Sequence, residues 1–180
     1  KVIDYFDREE LTVLNAIPTA EGALEIAMRE LPITIHSSNS LVLGFGRIGK
    51  IISRLLSSLG SNVTVSARKH EDLAWINAYS YKSVHSSEIL ETLPYQDVII
   101  NTVPYPILNR KELSSIKRDC LIIDLASKPG GVDFEAAKEL DAKVIWALSL
   151  PWEVTRWQKR YYFKNSIFFI PLNFLNFLTP

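Results

Sequence analysis

The 180 residues suffice for one full hydrophobic core plus at most a fragment of a neighbour, so two complete domains are not expected. Twenty basic and twenty acidic side chains cancel, which leaves no electrostatic reason to expect nucleic acid or an anionic membrane as the main partner. The single cysteine, Cys120, cannot form an internal disulfide and fits a reducing, cytoplasmic setting, and no apolar run reaches the ~18 to 20 residues that a membrane helix needs.

The amino end, KVIDYFDREELTVLN, is polar and acidic and lacks the basic start and apolar stretch of a signal peptide. The first residue is Lys, not Met, and helical periodicity begins only at Thr19, so the chain is expected to be a piece of something longer. From 18 to 31 the apolar positions Ala20, Ala23, Leu24, Ala27, Met28 and Leu31 recur at helical spacing, with Thr19 the expected N-cap and Pro32 the stop. Residues 1–31 therefore read as a linker and a helix from an interdomain region.

Residues 40–50, SLVLGFGRIGK, form an apolar run that breaks into Gly44-x-Gly46-x-x-Gly49 and then becomes amphipathic. A strand, a glycine turn and a helix in that order build a dinucleotide pyrophosphate site. The first glycine permits the turn, the second lets the backbone approach the phosphates, and the third lets helix and strand pack closely. The pyrophosphate is then expected on the backbone N–H groups of Gly46, Arg47, Ile48 and Gly49, at the start of the helix. Ile48, Ile51, Ile52, Leu55, Leu56 and Leu59 form the inner face of that helix, and Gly60 ends it.

A second strand is expected over 62–66 and a helix over 70–77. Two continuous apolar runs, 97–102 (DVIINT) and 120–125 (CLIIDL), suit parallel strands buried on both faces. A helix over 134–140 and a short strand over 142–147 complete the pattern. Strands alternating with helices at this pitch predict an α/β fold, a Rossmann-type doubly wound parallel sheet, over 32–151.

After Pro151 the character changes: 152–180 is rich in Trp, Tyr, Phe and Asn and has no glycine and no clean periodicity. Its abrupt start predicts either a shifted reading frame or a divergent tail without regular structure.

An NAD site places a carboxylate about 20 residues past the glycines, on the ribose 2′-hydroxyl. Here the second strand ends Ser66-Ala67-Arg68-Lys69, with no acid before Glu71. A hydroxyl and a guanidinium suit a 2′-phosphate, which favours NADP over NAD; the other reading is a solvated basic loop with NAD still accepted. Asn101, Thr102, Val103 and Pro104 end the strand beside the phosphate turn, so they either border the nicotinamide half of the cofactor or simply form a turn. Asp124 either ties down its own loop or meets the ligand. Ser127 and Lys128, in the glycine-rich turn that follows, could hold a substrate carboxylate by hydroxyl and charge, or be solvated. Three histidines, His36, His70 and His85, show no metal spacing and read as surface residues, with His36 the one candidate for general acid or base.

The segments EELTVLNAIPTAEGALEIAM, TIHSSNSLVLGFGRIGK, INTVPYPIL and LIIDLASKPGGVDFEAAK together resemble the carboxyl-terminal part of the A-type subunits of the dipicolinate synthase family, over about residues 8–151. The stretch from Asp124 to Asp133, with Ile35-His36-Ser37, is the most specific part. The resemblance implies a pyridine nucleotide-dependent oxidation that yields pyridine-2,6-dicarboxylate from dihydrodipicolinate or its hydrated tetrahydro precursor. It also implies the mother-cell cytoplasm of a spore-forming bacterium, the flavoprotein-like B-type component of dipicolinate synthase as partner, and His36, Ser127 and Lys128 as the groups that would orient a dicarboxylate ring. A homo-oligomer is expected. The family's amino-terminal domain is missing apart from its last stretch, and the resemblance stops after Leu150-Pro151. Two other readings stay open: another Rossmann oxidoreductase of the shikimate dehydrogenase or glutamyl-tRNA reductase kind, and a non-catalytic dinucleotide-binding module.

Overall fold

Strands whose every residue is apolar are stable only where both sheet faces are covered, and the chain meets that condition. The computed structural model describes residues 9–147; the expectations for 152–180 lie outside the described residues. Six strands, β1 (Asn39–Leu43), β2 (Asn62–Ala67), β3 (Lys82–His85), β4 (Val98–Asn101), β5 (Leu121–Asp124) and β6 (Lys143–Trp146), form one sheet in the order β3-β2-β1-β4-β5-β6. Every pairing is parallel. The order reverses between β1 and β4, and that switch point is where an open α/β sheet leaves a crevice at its carboxyl edge.

Side chains of successive strand residues point to opposite faces, and the core divides accordingly. On one face Val42, Val65, Ile100 and Ile123 pack against the helices α1 (Glu9–Glu30), α2 (Arg47–Ser58) and α3 (His70–Ala78), with Ala20, Ala23, Ala27, Ile52, Leu56 and Ile76 buried between. On the other, Leu41, Leu43, Ile99 and Ile122 meet Leu113 of the short α4 (Arg110–Leu113) and Ala136 and Ala137 of α5 (Phe134–Glu139).

Three features differ from the sequence reading. The first helix begins at Glu9, well before Thr19, and carries Pro18 in its interior. Thr19 is therefore no cap: its hydroxyl donates to the Asn15 carbonyl one turn back, at 2.8 Å. The small buried residues Ala16, Ala20, Ala23 and Ala27 let α1 lie close on the core, and that packing outweighs the local cost of the proline. Next, β3 went unread because KSVH is short and polar; as an edge strand it needs only one paired side. Finally, no α-helix joins β3 to β4. Two short 3-10 turns, Ile89–Glu91 and Leu93–Tyr95, make the crossing and plug the core with Ile89 and Leu93.

Candidate functional site

The glycine turn is held by contacts that only glycine allows. Gly44 has φ of +98°, and a Cβ there would lie 2.6 Å from Thr102 Oγ1. A Cβ on Gly49 would lie 2.1 Å from the Gly44 carbonyl oxygen, so the third glycine is what lets α2 start against the turn. Gly46 is different: a Cβ there would meet nothing within 4 Å. Gly46 is the N-cap of α2, which has no side-chain cap and no acidic residue in its first turn. By contrast, Asp133 Oδ1 caps α5 by accepting from the Ala136 N–H at 3.0 Å. The start of α2 thus keeps unsatisfied donors, a positive dipole end and open space together, which fits a diphosphate. Arg47, exposed at that end, pairs with Glu9 at 3.5 Å, while Ile48 packs into the core.

At the end of β2 the sequence expectations separate. Ser66 is fully buried; its hydroxyl lies 3.0 Å from Ser86 Oγ and its carbonyl accepts from the Gly44 N–H at 2.9 Å. Its main-chain carbonyl thereby secures the glycine turn. Arg68 is exposed and has no ion-pair partner among the described residues, whereas Lys69 pairs with Glu71 at 3.3 Å.

Asn101 and Asp124 are likewise fully buried with their polar atoms engaged, the arrangement of groups that support the rim. Asn101 Nδ2 donates to the Val103 carbonyl (3.1 Å) and to Asp124 Oδ1 (2.8 Å), and Asn101 Oδ1 accepts from the Val103 N–H (3.0 Å). Asp124 also accepts from the N–H groups of Ala126 (3.0 Å) and Gly131 (2.9 Å). The Thr102 hydroxyl donates to the Leu43 carbonyl at 2.9 Å, clamping its loop to β1. The loop after β4 is joined to the loop after β5 where the Ile107 and Leu108 N–H groups both donate to the Gly131 carbonyl at 3.0 Å. Trp146, which sequence reading missed, donates from Nε1 to the Ala126 carbonyl at 3.1 Å and stacks on Phe134 at 4.8 Å between ring centroids.

The two loops form one braced rim beside the glycine turn, and the rim exposes Pro104, Tyr105, Pro106, Ser127, Lys128 and Pro129. His36 is not there. It precedes β1, its ring packs on Gly60, and its Nδ1 bonds to Ser37 Oγ at 2.9 Å. It belongs to the amino edge of the sheet, separated from the rim by the length of β1, about 16 Å at ~3.3 Å per residue. The topology therefore places His36 apart from Ser127 and Lys128. Cys120 is also chemically idle, since burial pushes its thiol up to about 12.

A parallel sheet in the order 3-2-1-4-5-6, with a cleared glycine turn at its switch point, defines a Rossmann-type dinucleotide-binding domain. The chain belongs to the family described as D-isomer specific 2-hydroxyacid dehydrogenase, NAD binding domain, which it matches over residues 19–146, and the cofactor class is a nicotinamide dinucleotide. Within this fold it is 41% identical over 151 residues to the A-type subunit of dipicolinate synthase from Bacillus subtilis (strain 168), covering 84% of this chain and 51% of that one. The crystal structure of that type of subunit from Bacillus subtilis superposes with a TM-score of 0.88 at 38% identity, over 92% of this chain and 56% of that one. Its counterpart from Bacillus halodurans gives 0.83 at 36% identity, over 85% and 53%. The chain spans about half the length of these relatives. No helix among the described residues is long and apolar enough to cross a membrane.

Proposed function

We propose that this chain is the cofactor-binding half of an oxidoreductase of the dipicolinate synthase A type that prefers NADP to NAD and forms pyridine-2,6-dicarboxylate from dihydrodipicolinate or its hydrated tetrahydro precursor. The observation that carries the reading is the meeting, at one sheet edge, of the uncapped start of α2 with a rim that exposes a hydroxyl and an ammonium group. Similarity to the dipicolinate synthases of two Bacillus species supports the choice of substrate.

The hydrated tetrahydro precursor must first lose one water to give the dihydro ring; converting that ring to an aromatic one removes a hydride and a proton, and a bound nicotinamide would accept the hydride. The chain itself binds and orients. The N–H groups at the start of α2 hold the diphosphate, and Gly46 leaves the room for it. Arg68 grips the 2′-phosphate with its planar fork of donors. Lys128 and Ser127 hold one ring carboxylate by charge and hydroxyl. Asn101, Asp124 and Trp146 keep that rim in place without touching the ligand. His36, on the amino edge, has no part in this step.

A partner of the dipicolinate synthase B type and a sporulating, mother-cell setting follow from the same resemblance. A non-catalytic dinucleotide-binding module is the second reading. Fluorescence titration of the chain with NADPH and NADH, alongside product formation on mixing with the B-type partner, tests both. Tighter NADPH binding with turnover supports the enzyme, binding without turnover supports the module, and no binding of either nucleotide removes both.

A further inference from the structure

We infer that His85 is a positioning residue which, through Arg68, sets the preference for a 2′-phosphorylated dinucleotide; this rests on the reading of Arg68 as the 2′-phosphate ligand. The ladder between β2 and β3 ends at the pair Ala67 and His85. Arg68, one residue beyond, has no strand partner for its carbonyl. The His85 ring takes that place, with Nε2 3.0 Å from the Arg68 oxygen.

The direction of this bond is fixed by its neighbours. The Ser87 main-chain N–H donates to His85 Nδ1 at 3.3 Å, so Nδ1 is an acceptor and the hydrogen sits on Nε2, which donates to Arg68. The Ser87 hydroxyl adds a second contact to Nδ1 at 2.7 Å. The His70 ring stacks on His85 at 6.0 Å between centroids and 22° between planes. The Arg68 peptide is therefore held by a ring that is itself held at Nδ1 and against one face.

This matters because Arg68 is exposed on a long, flexible side chain. A bidentate grip on phosphate is costly in side-chain entropy unless its base is fixed, and a fixed peptide plane fixes the bond from which the guanidinium reaches out. Lys69 gives no substitute, since Glu71 already engages it. NADH carries no 2′-phosphate, so loosening Arg68 penalises NADPH alone.

The test is a fluorescence titration of the 180-residue chain and its variants Arg68→Gln, His85→Ala and His85→Gln with NADPH and with NADH. Circular dichroism melts check folding, and His85→Phe replaces His85→Ala should the latter not fold. Arg68→Gln is expected to bring the two Kd values together. Loss of one donated hydrogen bond in His85→Ala weakens NADPH about five- to tenfold and leaves NADH unchanged. His85→Gln, whose amide can still donate to the Arg68 carbonyl, recovers most of the NADPH affinity. Equal weakening of both nucleotides by His85→Ala, or no recovery in His85→Gln, overturns the positioning role while Arg68 keeps its own. A ratio unchanged by Arg68→Gln removes the Arg68 reading, and the role of His85 with it.

Discussion

Asn101 and Asp124, register partners on β4 and β5 and both fully buried, are joined by a hydrogen bond of 2.8 Å from Asn101 Nδ2 to Asp124 Oδ1. One carboxylate thereby links two loops: Asp124 takes the N–H groups of Ala126 and Gly131 in the loop after β5, and its partner Asn101 holds Val103 in the loop after β4. Replacing Asp124 by Ala strands those buried donors. At about 1–3 kcal/mol for each of the two N–H groups left unsatisfied, the expected loss is about 2–6 kcal/mol. Urea denaturation of the variant against the parent measures it, and a loss under about 1 kcal/mol would show that the carboxylate does not brace the rim.

Gly46 and Gly49 should respond in opposite ways to the same added methyl group. Gly49→Ala forces a Cβ to within 2.1 Å of the Gly44 oxygen, and the expected result is a destabilisation of about 1–3 kcal/mol, with a lowered Tm. Gly46→Ala places its Cβ in open space, so stability should change by under about 1 kcal/mol. Its cost falls on the ligand, with dinucleotide affinity down about tenfold or more, because the methyl group occupies the approach to the helix start. Thermal melts paired with cofactor titration separate the two effects.

Asp97 ties the amino edge together. Burial works to raise its pKa, but the Asn39 N–H, at 2.7 Å, and the Lys117 ammonium together hold it below the ordinary 3.8. A carboxylate depressed in the folded state stabilises the fold above its unfolded pKa and loses that contribution as pH falls through the folded value. Urea midpoints should therefore be flat in this respect above about pH 5 and decline below about pH 4. Asp97→Asn should shrink that acid decline while lowering stability at pH 7. An acid limb identical in parent and variant would count against the assignment.

Cys120 is 2% exposed, and its thiol sits at about 12. A thiol-specific reagent at pH 8 should leave it unmodified in the native protein and react fully in 6 M guanidinium, since only the thiolate attacks. Labelling under native conditions would then report global opening of the sheet, because Cys120 lies directly before β5. Fast labelling without denaturant would mean that this end of the sheet opens on its own.

The parts of the fold legible in the sequence are those whose signal is local. The apolar runs of β1, β4 and β5 and the glycines before α2 each state their own environment, and the sheet follows from their alternation with helices. The missed parts depend on partners distant in the chain. KSVH forms β3 only because β2 offers an edge. Residues 9–17 become helix across a proline because α1 packs along its small residues. Ser66, Asn101 and Asp124 are polar groups at strand ends, and such groups look alike whether they meet a ligand or each other. Only the bonds from Ser66 to Ser86 and from Asn101 to Asp124 tell the two apart. His36 is close to the glycine turn in sequence but lies at the other end of β1 in space, which only the strand direction reveals.

The bracing of the rim also bears on how such a domain can change its ligand. The hydrogen bonds that fix the two loops use main-chain atoms or the side chains of Asn101, Thr102, Asp124 and Trp146, so Tyr105, Ser127 and Lys128 project from a frame that does not depend on their identity. Exchanges at such exposed sites usually shift stability by less than about 0.5 kcal/mol. Mutational libraries confined to those three positions should therefore yield mostly folded proteins, and selection could retune what the rim accepts while the glycine turn stays untouched.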